Sequence, residues 1–321
     1  MFLRLFKEGF LFAINSVKVN KLRTFLSLFG ITIGIFCIIS VFTVLDWLEK
    51  SIRDSIDSMG SNVIYVQKFP WTFDGNIEYW DILRWPPVSM NDYQAVKNKS
   101  VKAEAVSFII GENERIKFRN NVASDAIVAG VTDDLEKVVS FEIDKGRYFT
   151  PNEYSSGSNV AVMGAEVAED LFGDVDPLDK EIKIAGRKAR VIGVLKKEGQ
   201  GAISLSNVDQ ITIVPIKFGS GFINLRNRFS DNQMIIRAKP DVPVQELSDE
   251  VTMVLRASRR LKPTEKTNFS VNNATMLSQG FDAVFKGITL GGWLIGGFAI
   301  LVGGFGIANI MFVSVRERTN I

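Results

Sequence analysis

"TFLSLFGITIGIFCIISVFTVL", residues 24–45, is a run of 22 residues without a charge, entered from Arg23 and left at Asp46. A helix needs roughly 20 apolar residues to cross the hydrocarbon core of a bilayer, so the run is long enough to span one. It exceeds the roughly 7 to 15 apolar residues of a cleavable signal peptide, and "TVLDWLEK" at its exit has no small-residue cleavage site. It therefore reads as a retained anchor. A second uncharged run of 29 residues, Gly287 to Val315, ends at Arg316, Glu317 and Arg318. Over the 321 residues, 46% are hydrophobic and 23% charged, too mixed for a bundle of spans and too apolar for an ordinary soluble enzyme.

Charge orients these segments. Residues 1–23 carry Arg4, Lys7, Lys18, Lys21 and Arg23 against Glu8, and the far end carries Arg316 and Arg318 against Glu317. Both short ends are expected in the cytoplasm, since basic flanks stay inside. The segment 46–286 has a net charge of −3 and is expected outside. Phe2, Phe6, Phe10, Ile14 and Val17 recur at helical spacing, which suits an interfacial helix over 1–20 or a simple lengthening of the first span. The expected organisation is thus a cytoplasmic interfacial helix (1–20), a first transmembrane helix (21–45), a stalk and outer domain (46–283), a second transmembrane helix (284–315) and a cytoplasmic stub (316–321).

Composition excludes several chemistries. There is no histidine, and the single cysteine, Cys37, lies inside the first span. Ser-His-Asp and Cys-His catalysis, a disulfide framework and an ordinary zinc site are all ruled against. No G-x-x-x-x-G-K-[ST] loop occurs, so the chain is not expected to hydrolyse ATP itself, and it is read as non-catalytic, without cofactor or metal. "RASRRLK", 256–262, resembles a nucleic-acid patch by composition. At the end of an extracytoplasmic helix it reads instead as a solvated basic terminus complementing the helix dipole, so no nucleic-acid partner is expected. Asp133 with Asp134, and Glu169 with Asp170, read as surface charge.

The outer segment reads as α+β. Strands are expected at "NVIYVQKF", "DAIVAGV", "NVAVMG", "QITIVPI" and "NQMIIRA", with "EIKIA" and "ARVIGVL" paired by a turn at Gly186 and Arg187. Helices are expected over 90–98, 165–172 and 244–260. In the last, Val244, Leu247, Val251, Val254 and Leu255 form one apolar stripe. Strand, helix and strand over 232–272 suggest half of a split βαβ layer. The first span is expected to run on as a stalk helix as far as Gly60.

Two further features are candidate contact sites. The second run is dense in glycine, and Gly292, Gly296, Gly304 and Ala308 share a helix face, as Gly30 and Gly34 do in the first. Small faces let helix backbones approach closely in lipid. "FPWTFDGNIEYWDILRWPP", 69–87, holds Trp71, Trp80 and Trp85, and reads either as a partner or substrate loop or as a lid folded on its own core.

The assembled stretches resemble a known family. "VNKLRTFLSLFGITIGI", "DKGRYFTPNE", "NVAVMGAEVAEDLFGDVDPLDKEIKI", "RKARVIGVLKK" and "GGFGIANIMFVSVRERTNI" are similar to the MacB/FtsX-like permeases of ABC transporters. The pattern near "DPL" departs from the family, which usually has glycine where this chain has Asp179. The resemblance implies two transmembrane helices with stalk extensions flanking a periplasmic domain of a porter-like and a sabre-like lobe, in a bacterial inner membrane. It implies a cytoplasmic ATP-binding cassette partner, a second permease copy in a homo- or heterodimer, membrane lipid and a periplasmic adaptor. ATP-driven motion would then reach the periplasmic domain and export or extract an amphiphile such as a drug, peptide or lipoprotein. Arg316, Glu317 and Arg318 would lead toward the ATPase-coupling helix. Family members continue into a third and fourth span, so the chain is expected to be a fragment or a half-subunit. The alternative from the residues alone is a two-span sensor with an outer ligand-binding domain.

Overall fold

The computed structural model of the protein describes residues 21–60, 62–72, 78–139, 141–197, 208–224 and 232–319. They fall into two compact units, one reaching Lys50 and resuming at Phe281, the other Ser51–Gly280. The expected interfacial helix over 1–20 lies outside the described residues.

The first long helix, α1 (Lys21–Ser58), is unbroken. It ends at Gly60, whose φ of +87° is the left-handed conformation that favours glycine past a helix terminus. Within α1, Thr32–Asp57 is the one stretch among the described residues long and apolar enough to cross a membrane, with a mean hydropathy of 1.8. Its uncharged part stops at Leu45, where Asp46 begins the charged remainder. The last helix, α9 (Ala274–Thr319), takes in the second apolar run and continues through Arg316, Glu317 and Arg318.

Ser51–Gly280 is built on a ten-stranded sheet. Its elements, in chain order, are β1 (Val63–Gln67), α2 (Tyr79–Arg84), α3 (Met90–Lys99), β2 (Ala103–Phe118), β3 (Asn121–Val131), α4 (Leu135–Val138), β4 (Ile143–Gly146), α5 (Pro151–Ser156), β5 (Val160–Met163), α6 (Ala165–Phe172), β6 (Glu181–Ile184), β7 (Arg187–Leu195), β8 (Ile211–Pro215), α7 (Ile216–Gly219), β9 (Gln233–Ala238), α8 (Val244–Ser258) and β10 (Ser270–Asn273). The order β10-β1-β9-β2 is that of a ferredoxin-like split βαβ layer, with α3 and α8 as its helices. Between its second and third strands the chain inserts everything from β3 to α7. In this insertion β2-β3-β8-β5-β7 continue the sheet, and β6 pairs with both β7 and β2, so six strands close a ring. The single sheet thus has an open half and a closed half, which share the 16-residue strand β2.

Strand alternation sorts the core. In the open half Ile64, Val66, Phe108 and Ile236 pack against Leu247, Val251 and Leu255 of α8. In the closed half Ile116, Val128, Met163, Ile182 and Val191 pack with Val167, Leu171 and Phe172 of α6. The alternate residues Val63, Tyr65, Val131, Val162 and Ile213 form a third cluster on the other face.

Three sequence expectations are corrected. The longest strand, β2, was not anticipated, because Gly111 and the charges at Glu112, Glu114, Arg115 and Lys117 mask the inward Ile110, Ile116 and Phe118. The β6–β7 turn is made by Ala185 and Gly186, both with positive φ (47° and 83°), as a two-residue hairpin turn requires, and Arg187 already pairs with Ile184. The basic terminus of α8 is solvated only in part: Arg260 and Lys262 are exposed, but the Arg259 side chain is buried in an ion pair with Asp92. Asp179 has φ +57°, a left-handed conformation that glycine adopts freely and that aspartate tolerates better than most residues.

Candidate functional site

In the unit that holds the apolar helices, α1 and α9 meet through glycine. A Cβ at Gly292 would lie 2.7 Å from Cζ of Phe42, and one at Gly296 would lie 3.6 Å from Cδ1 of Ile38. Phe42 also tilts against Trp293, with ring centroids 6.1 Å apart. Two of the small residues are thus seats for α1 side chains. A Cβ at Gly34 or Gly304 meets no heavy atom within 4 Å, so these two positions leave open backbone. Ala308 is half-buried, and the side-chain position of Gly30 lies outside the described residues. Phe42 and Ile38 were not singled out from the sequence. Their signal is weak, since a bulky apolar residue opposite a glycine is recognisable only once the pairing of the helices is known.

The three tryptophans have three different settings. Trp85 is 9% exposed and belongs to the core. Trp71 is half-buried against Tyr65, with ring centroids 5.0 Å apart, and its backbone N–H donates to Asn272 Oδ1 at 3.1 Å. Burial pushes the Tyr65 hydroxyl up to about 12. Only Trp80 faces solvent, 68% exposed on α2, edge-on to the exposed Tyr79 at 6.0 Å. The three tryptophans thus differ in exposure, and among the described residues of this stretch the exposed aromatic side chains are Tyr79 and Trp80.

Three of the four paired carboxylates, Asp133, Asp134 and Glu169, are engaged in ion pairs. Asp133 accepts from Lys97 Nζ at 2.7 Å and from the Tyr93 hydroxyl at 2.9 Å. Burial by itself raises the Asp133 carboxyl, but these donors outweigh it and hold it below the usual range. Asp134 pairs with Lys137 at 2.7 Å and Glu169 with Lys197 at 2.8 Å. Among the described residues no group of three or more His, Cys, Asp or Glu is placed to hold a metal. Arg316, Glu317 and Arg318 lie in the closing turns of α9, and their side chains fall outside the described positions.

The family model for the MacB-like periplasmic core domain matches residues 24–254, from the apolar part of α1 into α8. The chain belongs to the MacB-like periplasmic core domain family. Across 310 residues it is 27% identical to the macrolide export ATP-binding/permease protein MacB of Bdellovibrio bacteriovorus, covering 95% of this chain and 46% of that protein. It is also 27% identical to the uncharacterized ABC transporter permease YknZ of Bacillus subtilis, covering 97% of this chain and 75% of that one. The pyoverdine export ATP-binding/permease protein PvdT of Pseudomonas aeruginosa matches at 27% over 94% of this chain and 43% of its own length. The chain spans about half the length of the MacB relatives it matches. The MacB-like sheet also resembles the crystal structure of the periplasmic region of MacB from Actinobacillus actinomycetemcomitans. That likeness has a TM-score of 0.56 at 17% identity, over 71% of this chain and 95% of the other, and concerns the fold.

Proposed function

We propose that this MacB-like chain is a non-catalytic permease subunit of an ABC transporter. The observation that carries the reading is the extent of the likeness: relatives named as ABC transporter permeases align over 94% or more of the chain, apolar helices included. In this reading α1 and α9 are the two transmembrane helices of an inner-membrane protein with both short ends in the cytoplasm. The open ferredoxin-like half is the porter-like lobe, and the closed six-strand half is the sabre-like lobe. Motion generated by an ATP-binding cassette partner enters through Arg316, Glu317 and Arg318. It travels along α1 and α9 and displaces the periplasmic domain, moving an amphiphilic substrate such as a drug, peptide or lipoprotein.

Helix length supports this route. At 38 and 46 residues, α1 and α9 are about 57 and 69 Å long, roughly twice the 30 Å of a bilayer's hydrocarbon core. Each is continuous, with no break among its described residues to absorb a displacement. The test is ATP hydrolysis by the transporter purified through a tag on this chain and reconstituted in liposomes. The double reversal Arg316→Glu/Arg318→Glu is expected to lower it severalfold. No co-purifying ATPase activity, or activity indifferent to the reversal, would overturn the coupling role.

A further inference from the structure

The outer face of the closed half contains an arrangement that folding alone disfavours. Lys117 of β2 lies directly opposite Lys183 of β6, and Lys183 directly opposite Lys188 of β7. All three are exposed, on the face away from the inward Ile116, Ile182 and Ile184. Like charges directly opposite on neighbouring strands are destabilising, and here three stand in a row about 4.8 Å apart. Lys188 is relieved by Glu181 at 2.6 Å. Lys117, Lys183 and the neighbouring Arg115 make no ion pair among the described residues, although the opposite-face ladder would pack equally well with threonine or glutamate in their places.

The row borders a cleft of about 660 Å³ lined by Asn113, Arg115, Lys117, Ser124 and Lys183, with Glu114 as its one carboxylate. The cleft lies where β2 passes from one half of the sheet to the other. Ile109 is the last residue of β2 paired with β9, and Ile116 is the first paired with β6. Between them the Arg115 carbonyl accepts from the backbone N–H of Ala185 at 3.2 Å, and residues 110–114 have no strand partner on that side among the described residues. A short stretch of backbone donors and acceptors with no partner among the described residues, flanked by cations that make no ion pair among them, suits an extended polypeptide, which can add hydrogen bonds along the edge while its side chains meet the neighbouring charges. A compact anion would use the cations and leave the edge idle.

We infer that this cleft binds an extended acidic segment of a partner polypeptide, its carboxylates neutralising Arg115, Lys117 and Lys183. The inference does not depend on the transport reading. It is tested by fluorescence anisotropy with the full detergent-solubilised chain and a labelled octaglutamate peptide. Binding is expected to weaken as salt rises from about 50 to about 500 mM, as exposed charges are screened. The pair Lys117→Glu/Lys183→Glu is expected to lower affinity about tenfold or more, and octalysine should not bind. Lys183→Glu alone should raise the thermal midpoint, because it places an opposite charge between two lysines; this establishes that loss of binding is not loss of folding. Absence of octaglutamate binding, or equal binding by the double variant, would overturn the site. Lysine-dependent binding of inorganic pyrophosphate or phosphatidylglycerol vesicles as tight as that of the peptide would overturn the polypeptide assignment.

Discussion

Arg259 grips Asp92 across the open half of the sheet, with Nη2 2.9 Å from Oδ2 and Nε 3.2 Å from Oδ1, and both side chains are less than a tenth exposed. Asp92 also accepts from the backbone N–H of Ser89 at 3.0 Å, closing the capping box of α3. Arg259 Nη1 donates to the Asn268 carbonyl and to its Oδ1, each at 2.9 Å. The pair thus ties the start of α3 to the end of α8 and to the lead-in to β10.

Removing one partner leaves a buried charge with no counterpart. Arg259→Met is expected to cost about 3–5 kcal/mol, read as a lowered denaturation midpoint, while the neighbouring Arg260→Met changes little. Replacing both members, Asp92→Asn with Arg259→Met, should recover part of the loss.

The approach of α1 to α9 at Phe42 and Gly292 has its own size dependence. Gly292→Leu drives side-chain atoms into the Phe42 ring, and Phe42→Ala in the same chain should restore room. The expected readout is cysteine cross-linking between positions 38 and 296, lost in Gly292→Leu and regained in the double variant. Gly304→Ala, which meets nothing within 4 Å, should leave it intact.

Acid should weaken the start of α5. Arg147, at 2.8 Å, holds the Glu153 carboxyl down to about 2, with help from the Thr150 backbone and hydroxyl against a smaller effect of burial. A carboxyl depressed in the folded state contributes stability above its unfolded value of about 4.5 and loses it as pH falls toward 2. Glu153→Gln should therefore lower the thermal midpoint at neutral pH and flatten its decline between pH 4.5 and pH 2. The loss at pH 7 is expected to be about 1–2 kcal/mol, as for a cap combined with a charge-assisted bond.

Trp80 and Trp85 should separate contact from packing. Trp85→Ala empties a core position and is expected to cost about 3–5 kcal/mol in the folded domain. Trp80→Ala should leave the unfolding midpoint within about 0.5 kcal/mol of the parent, as for an ordinary surface site. If reconstituted transport is also unchanged by Trp80→Ala, Tyr79 and Trp80 are not a substrate or partner surface.

Much of the outer domain was legible because its strands and helices repeat their apolar residues with the right period. Leu247, Val251 and Leu255 stand at helical spacing, and all three are fully buried in α8. What escaped were features set by distant partners. Gly111 and the alternating charges of β2 look like loop until β9, β3 and β6 are arranged around them. Arg259 looks solvated until Asp92, 167 positions away, closes on it. The tryptophans of 69–87 look alike in sequence, yet packing buries Trp85 and leaves Trp80 in solvent.

By itself the sequence determined the membrane-length apolar runs, the charge bias of their flanks, the α+β character between them and the absence of histidine chemistry. These depend on composition and on periodicity over a few turns, which local residues alone specify. Only the tertiary structure decided that β2 is shared by two halves of one sheet, that Gly292 seats Phe42, and that Lys117, Lys183 and Lys188 stand side by side. Each of these joins residues far apart in the chain, and an apolar or charged side chain bears no mark of which distant neighbour the fold will bring to it.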